Sequence, residues 1–327
     1  MNNRTDLAGI LEALRAGESI GVTTHVSPDG DAVGSMLATA RLLRLLGKTD
    51  VVCILEDPAG HAYRWLPGAN EVIPPDGVEM RLDTLVLLDA SRRDRLGRVA
   101  RVLGPDTRLV VIDHHIESCP EGNATFVDPS YAASGEIIAE LFEMSGVPLD
   151  HPAALCLYVA IATDTGGFRF ASTNARSHRI TARILECEID VAEISHRVFD
   201  ALTPAKFHLM TRLLGRMKFV ENARVAYSEI YPADLIETGA HAEDINNLVN
   251  LGRNVEGVHV AILFRSLDSA TTKISIRAAP AFNAARLAAA FGGGGHAGAA
   301  GATLAMSLED ARTRVLECAG NLLENKE

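Results

Sequence analysis

A chain of 327 residues is too long for one hydrophobic core to organise, since single cores rarely grow past roughly 250–300 residues, so two domains are expected. With 47% hydrophobic and 22% charged residues the composition is that of a water-soluble globular protein, and a net charge of −11 argues against broad duplex-DNA binding, which requires many phosphates to be neutralised. No stretch is apolar enough to span a membrane and residues 1–6 lack a signal-peptide core, while Cys53, Cys119, Cys156, Cys187 and Cys318 form no C-x-x-C pair, so reduced thiols and a cytoplasmic location are expected.

Residues 7–15 carry apolar positions at helical spacing, with Asp6 as N-cap and Gly17 as stop. A strand at 19–24 runs into His25-Val26-Ser27-Pro28-Asp29-Gly30-Asp31. Pro28 and Gly30 bend the backbone so that His25, Asp29 and Asp31 can converge. The competing reading of Asp29 and Asp31 is a capping turn for the helix expected at 32–46. A second strand at 51–55 precedes a short helix at 62–66 bearing Trp65, read as core or interface. The third strand, 84–88, ends in Asp89, followed by Arg92, Arg93, Arg95 and Arg98, which read as a solvated helix face.

The fourth strand, 109–112, delivers Asp113-His114-His115. After a loop, Ser134-Gly135-Glu136 is expected to cap a helix at 137–144. A buried helix at 155–162 ends near Asp164, beside Gly166 and Gly167, which allow close approach of a ligand or loop. Three strand ends and one helix end thus offer His25, Asp29, Asp31, Asp89, Asp113, His114, His115 and Asp164. In an open α/β sheet such ends line the ligand crevice. Imidazoles and carboxylates together suit divalent metals, and two ions about 3.5–4 Å apart can clamp both oxygens of a phosphoester displacement.

Residues 174–186 and 191–197 read as helices, and Thr203-Pro204 as the N-cap and first position of another. The expected organisation is a catalytic domain at 1–189, a helical connection at 190–218 and a second domain at 219–327. The fold class is α/β: a mostly parallel sheet flanked by helices, then a smaller mixed α/β domain with strands at 223–230, 257–264 and 273–277 and a helix at 308–323. Lys273, Ser275 and Arg277 share one strand face. A helix at 284–291 runs into four glycines whose unshielded N–H groups suit an anion or nucleotide pocket. The order of elements and the lack of Gly-Lys-Ser/Thr exclude a P-loop.

The patterns His25…Asp29-Gly30-Asp31, Asp89, Asp113-His114-His115 and Asp164 resemble the motifs of the DHH phosphoesterase superfamily. The run Gly292-Gly293-Gly294-Gly295-His296-Ala297-Gly298-Ala299-Ala300-Gly301 resembles the glycine-rich motif of its associated C-terminal substrate domain. Length and layout look most like the NrnA group of nano-RNase and 3′-phosphoadenosine-5′-phosphate (pAp) phosphatase enzymes. The resemblance implies one metal on His25, Asp29 and Asp89 and a second on Asp31, Asp89, His114 and Asp164, with Asp89 bridging. It implies a water nucleophile, His115 facing the scissile phosphate, and Asp113 orienting a neighbour. It further implies that His296 contacts the substrate, with Gly294, Gly295, Arg277 and, less directly, Arg265 around it. Mn²⁺ is the metal implied; ligand chemistry also admits Mg²⁺ or Co²⁺. Substrates would be short RNA and small nucleotides, with no duplex DNA and no membrane, and a homodimer is suggested. The alternatives are a pApA or cyclic-di-AMP phosphodiesterase, a pyrophosphatase-like enzyme, and a nucleotide-binding regulatory protein without catalysis.

Overall fold

Short aliphatic runs separated by helices build the first part of the chain, and their burial dictates a covered parallel sheet. The structure, a computed structural model, describes residues 4–116 and 120–324; Cys119 and residues 1–3 lie outside the described residues. The strands are β1 (Ser19–Thr24), β2 (Asp50–Ile54), β3 (Thr84–Leu88), β4 (Arg108–Asp113) and β5 (Ala124–Val127). They form one sheet in the order β2-β1-β3-β4-β5, every neighbouring pair parallel. Every residue of β3 is buried, as befits a central strand: Val86 and Leu88 face the core that holds the α-helices, and Leu85 and Leu87 face a second cluster with Leu82, Leu96 and Val99. β5 occupies a stretch expected to be loop. Its four residues are too few for periodicity to reveal, and pairing with β4 alone makes it a strand.

The helices of this part are α1 (Leu7–Ala16), α2 (Gly30–Leu45), α3 (Ser134–Ser145), α4 (His151–Asp164), α5 (Ala175–Leu185) and α6 (Val191–Ser195). Asp6 caps α1 by accepting from the Gly9 N–H at 2.8 Å. Helices α2 and α4 pack at close range because small residues face each other. A Cβ on Gly34 would lie 2.4 Å from the Cys156 carbonyl oxygen, one on Gly30 2.4 Å from Thr163 Cγ2, and one on Gly135 of α3 2.6 Å from Ala160 Cβ. This three-helix contact places the first turn of α2, the first turn of α3 and the last turn of α4 together.

Two local expectations are corrected. The tryptophan segment is a single 3₁₀ turn, His61–Tyr63, with Trp65 partly buried against the first core. The arginine-rich segment is not one solvated helix: it consists of 3₁₀ turns over Arg93–Val102 broken at Gly97 (φ 54°), and Arg98 donates to Glu56 Oε1 at 3.0 Å. The four described cysteines, Cys53, Cys156, Cys187 and Cys318, are free thiols. Among the described residues no helix is long and apolar enough to cross a membrane.

The chain divides into two compact units, Met1–Ala201 and Leu202–Glu327, so the expected connection at 190–218 is shared out, α6 with the first and the next helix with the second. That helix, α7 (Pro204–Arg216), begins at Pro204 with Thr203 Oγ1 accepting from Lys206 N at 3.0 Å. Its Leu209 and Leu213 bury against Ala226, Ile230 and Leu263. The second unit holds a sheet of β6 (Lys218–Val220), β7 (Val225–Ile230), β8 (Val260–Ser266), β9 (Thr272–Ala278), β10 (Gly294–Gly295) and β11 (Ala299–Leu304) in the order β10-β11-β9-β8-β7-β6. Only the β7–β8 pair is parallel. Helices α8 (Pro232–Thr238), α9 (Asn250–Arg253), α10 (Ala284–Ala289) and α11 (Leu308–Glu324) complete it. Ile262, Phe264, Ile274 and Ile276 project from one sheet face into a core with Leu287 of α10 and Val315 of α11. The expected α/β class, a mostly parallel sheet followed by a separate mixed one, holds.

Gly34→Ala should wedge α2 from α4 and lower unfolding free energy by about 1–3 kcal/mol, read as a fall in the urea midpoint with unchanged m-value. An unchanged midpoint would show that the helix contact is not close-packed.

Candidate metal centre

The strand order reverses between β1 and β3, because β1 pairs with β2 on one side and β3 on the other. The crevice outside the carboxyl ends of such strands is where ligands of open α/β sheets bind. β1 leads to His25, β3 to Asp89, and β4 ends on Asp113.

Asp89 is buried and has φ of +57°, the left-handed region that few non-glycine residues enter. That turn aims its carboxylate inward. Oδ2 is 3.4 Å from His25 Nε2, and Oδ1 is 3.3 Å from His114 Nε2 and 3.6 Å from His115 Nδ1. Ser134 Oγ donates to Oδ1 at 3.2 Å.

Asp31, in the first turn of α2, has no exposed surface. Its Oδ1 accepts from Ser35 Oγ (2.9 Å) and Gly135 N (2.9 Å), and its Oδ2 from Ser134 N (2.6 Å). The N-terminus of α3 is therefore capped by a carboxylate 103 residues upstream, which satisfies orphan N–H groups and places a negative charge at the positive end of the helix. The expectation that Ser134-Gly135-Glu136 would itself cap the helix is corrected: Ser134 opens the helix and spends its hydroxyl on Asp89. Ser134 was missed as a site residue because a Ser-Gly pair before an apolar run is the ordinary signature of a helix start. Asp29 serves both readings weighed for it. One oxygen caps α2 through Ala32 N at 3.1 Å, and a ligand atom of the same residue lies with those of His25 and Asp89.

His114 is the most informative group. Its Nε2 lies 3.1 Å from Asp164 Oδ2 and 3.6 Å from Asp31 Oδ2, besides Asp89, yet this buried nitrogen satisfies hydrogen-bond geometry with none of them. Its Nδ1 is 3.3 Å from the Tyr131 carbonyl, and His25 Nδ1 is 2.8 Å from that of Val26. A carbonyl at Nδ1 favours the tautomer that leaves Nε2 as a lone pair, the form in which histidine binds metals. Ligand atoms of His25, Asp29 and Asp89, of Asp31, His114 and Asp164, and of Asp89, His114 and His115 fall in three overlapping groups, each within 4.8 Å. The donor set and the orphaned His114 nitrogen fit divalent cations.

The electrostatics point the same way. Burial pushes the Asp31 carboxyl well above its usual range, and repulsion from Asp89 and Asp164 adds to this. Asp29 is raised by burial and by the same two neighbours. Asp89 goes the other way: burial opposes ionisation, but the His114 and His25 imidazoles outweigh it and hold the carboxyl well below normal. Burial disfavours charge on His114 too, yet Asp164 and Asp89, with Asp31, push its pKa up to about 12. With no metal bound, a proton on His114 supplies the missing positive charge.

Asp113, buried at the end of β4, accepts through Oδ1 from His114 N (2.8 Å), His115 N (3.1 Å) and His115 Nδ1 (2.8 Å). It clamps the turn and leaves His115 Nε2 as the outward nitrogen of a ring whose side chain is 48% exposed.

The remaining site candidates belong to the second unit. Arg265 opposes Lys273 across β8–β9, while Ser275 and Arg277 pair with Gly301 and Ala299 on β11. Lys273, Ser275 and Arg277 share the face opposite buried Ile274 and Ile276. Burial lowers the Arg277 pKa, and its Nη1 donates to the Ile276 carbonyl at 3.1 Å. The glycine run forms an edge hairpin: Gly294 and Gly295 pair with Gly301 and Ala300, and a turn from His296 to Ala299 closes it through His296 N to Ala299 O at 2.7 Å. Close packing explains two of the glycines, since a Cβ on Gly293 would be 2.2 Å from Gly301 O and one on Gly295 2.5 Å from Ala299 O. Gly294 is different: it is exposed, and a Cβ there would meet nothing within 4 Å. His296 is also exposed.

Residues 19–161 match the DHH family, N-terminal domain, and residues 222–324 match the DHHA1 domain. The chain is 35% identical over 311 residues to the bifunctional oligoribonuclease and PAP phosphatase NrnA of Thermus thermophilus, covering 94% of this chain and 91% of that one. The chain belongs to the DHH family. The triplet Asp113-His114-His115 is the DHH sequence itself, and it lies on the carboxyl edge of the sheet. The protein of the same name from Bacillus subtilis is 25% identical, over 90% of this chain and 92% of its own. The crystal structure of an exopolyphosphatase-related protein from Bacteroides fragilis superposes with a TM-score of 0.88 at 26% identity, covering 98% of this chain and 97% of that one.

A divalent ion held by His114 must displace the proton this imidazole carries below pH about 12. Metal binding near pH 7 should release about one proton per His114 site, and apparent affinity should rise about tenfold per pH unit. Calorimetry in buffers of different ionisation enthalpy measures the proton count; a count of zero would show that His114 carries no displaceable proton near pH 7.

Proposed function

We propose that this chain is a metal-dependent hydrolase of short oligoribonucleotides and of pAp, working on two divalent ions with Mn²⁺ preferred. The observation that carries this reading is the overlap of ligand groups at Asp89 and His114 around a buried nitrogen with no hydrogen bond. His25, Asp29 and Asp89 would hold one ion, and Asp31, Asp89, His114 and Asp164 the other. Bound divalent ions would polarise the phosphoryl group and lower the pKa of water at the site.

The chain's own groups do the rest. Asp113 holds His115 Nδ1 at 2.8 Å and raises the imidazole pKa, which favours the doubly protonated ring whose Nε2–H would serve the departing oxygen or hydrogen-bond the phosphate. Ser134 and the N-terminus of α3 fix the two buried carboxylates so that they cannot swing out with substrate. In the second unit, Arg277 and Lys273 offer cationic contacts to phosphate, with Arg265 beside Lys273 across the strand pair. Gly294 and His296 lie on the open hairpin, where backbone without a Cβ allows a nucleotide to approach. The substrate choice follows the names of the relatives. The buried free thiols Cys53 and Cys156 favour a cytoplasmic setting, and a homodimer is part of the same proposal.

Asp89→Asn should reduce kcat/KM for pAp by at least about 10³-fold, since both ion sites lose an anionic ligand, with circular dichroism unchanged. Full Mn²⁺-dependent turnover in the variant would refute the bridging role. His115→Gln should lower kcat by about 10²–10⁴-fold with a smaller effect on KM; a change in KM alone would make His115 a binding group only. EDTA should abolish hydrolysis and Mn²⁺ restore it. Across pAp, pApA, a ribo-trimer, a longer ribo-oligomer and pyrophosphate, the short nucleotides should be cut fastest, and dominant pyrophosphate cleavage would overturn the substrate assignment.

A further inference from the structure

Immediately after Asp164 the backbone does something that neither the fold nor the metal centre requires. Gly166 (φ 58°), Gly167 (φ 67°) and Phe168 (φ 65°) form three consecutive left-handed residues. Phe168 has a β-carbon and is strained there, and such strain persists only where surrounding contacts impose it. Those contacts are visible. The Phe168 ring stacks on His178 at 5.3 Å between centroids and meets Tyr158 edge-on at 6.3 Å. The Thr165 carbonyl accepts from both Arg169 N (2.8 Å) and Phe170 N (2.9 Å), and Arg169 Nε donates to Gly166 O at 2.6 Å.

The result is a display. Phe168 is anchored inward, and Phe170 is turned back over the glycine pair with 58% of its surface exposed. A Cβ on Gly166 would lie 2.4 Å from Phe170 Cε1 and Cζ, so only glycine lets the ring lie there. A second aromatic reaches the same turn. Phe199, 38% exposed, stands 3.9 Å from where a Cβ of Gly167 would be, on a π-helical turn over His196–Asp200 closed by Ala201 N to His196 O at 2.7 Å. π-turns are rare and concentrate at functional sites. Two irregular backbone segments thus each present an exposed ring to one glycine pair, two residues beyond an acid that lies 3.1 Å from His114.

We infer that Phe170 is a base-stacking platform for the nucleotide whose phosphate lies at the metal centre, with Phe199 bordering the same surface. Exposed aromatics beside a phosphate-binding site recognise single-stranded nucleotides through the π-face that every base possesses. This role makes Phe170 a specificity residue, and it rests on the nucleotide hydrolase reading above.

The direct probe is the riboside 3′,5′-bisphosphate of 2-aminopurine, whose fluorescence is quenched by stacking, added to the full chain in Ca²⁺. Wild type should quench it, Phe170→Ala should bind it about tenfold more weakly with most quenching lost, and Phe170→Tyr should restore both. The abasic ribose 3′,5′-bisphosphate should bind wild type and Phe170→Ala with affinities that differ far less. Equal quenching and affinity in wild type and Phe170→Ala would overturn the proposal. So would an equal loss for the abasic compound, which would make the ring a structural or protein-contact surface. Turnover of pAp by wild type in Mn²⁺ separates the two readings: turnover with undiminished quenching in Phe170→Ala defeats the platform alone, whereas neither turnover nor quenching in wild type defeats both.

Discussion

Two carboxylates, Asp31 and Asp89, are withdrawn from water at the carboxyl edge of the parallel sheet, and most of the first unit is arranged around making that tolerable. An ionised carboxylate in a dry interior is strongly unfavourable unless its charge and lone pairs are met. Here the N-terminus of α3 gives Asp31 two backbone N–H groups, Ser35 adds a hydroxyl, and Ser134 gives Asp89 another. His25 and His114 complete the shell of Asp89. The helices can deliver these groups only because Gly30, Gly34 and Gly135 let α2, α3 and α4 meet without intervening side chains. Residual repulsion among Asp29, Asp31, Asp89 and Asp164 is what a divalent cation would relieve, so fold stability and metal affinity draw on the same contacts.

The proposed function would divide chemistry and recognition between different parts of the chain. The first unit concentrates carboxylates and imidazoles on secondary-structure ends, with Asp31 and Asp89 buried, which suits a site that would hold charge in fixed geometry. The second unit presents a cationic strand face and a hairpin edge whose glycines are partly consumed by close backbone packing. Within that hairpin Gly294 and Gly298 combine exposure with open space above the α-carbon. An overall charge of −11 does not by itself exclude an anionic substrate, because Lys273 and Arg277 concentrate positive charge on one strand face of the second unit and bound cations would do the same at the first unit's carboxylates. The same acidity works against long duplexes, whose phosphates would meet it everywhere else.

The sheet and the eight acid and imidazole positions were legible in the sequence because buried parallel strands read as aliphatic runs and their ends as abrupt changes to polar residues. What could not be read was whatever depends on partners far along the chain. β5 is a strand only by pairing with β4. Asp31 caps a helix 103 residues away, and Ser134 looks like a local cap until its hydroxyl is seen on Asp89. The glycine run reads as a loop of free N–H groups, whereas antiparallel pairing with β11 turns it into a hairpin. Phe168 and Phe170 carry no periodic signal at all. Their roles emerge from left-handed backbone that glycine announces but aromatic residues do not.

The proposed function makes Asp89 the shared ligand of two ions, and crystals soaked in Mn²⁺ and measured at the manganese absorption edge test this most directly. Two anomalous peaks should flank the Asp89 carboxylate about 3.5–4 Å apart, one beside His25 and Asp29 and the other beside Asp31, His114 and Asp164. A single peak, or two peaks that leave Asp89 without a metal contact, would contradict the shared-carboxylate centre.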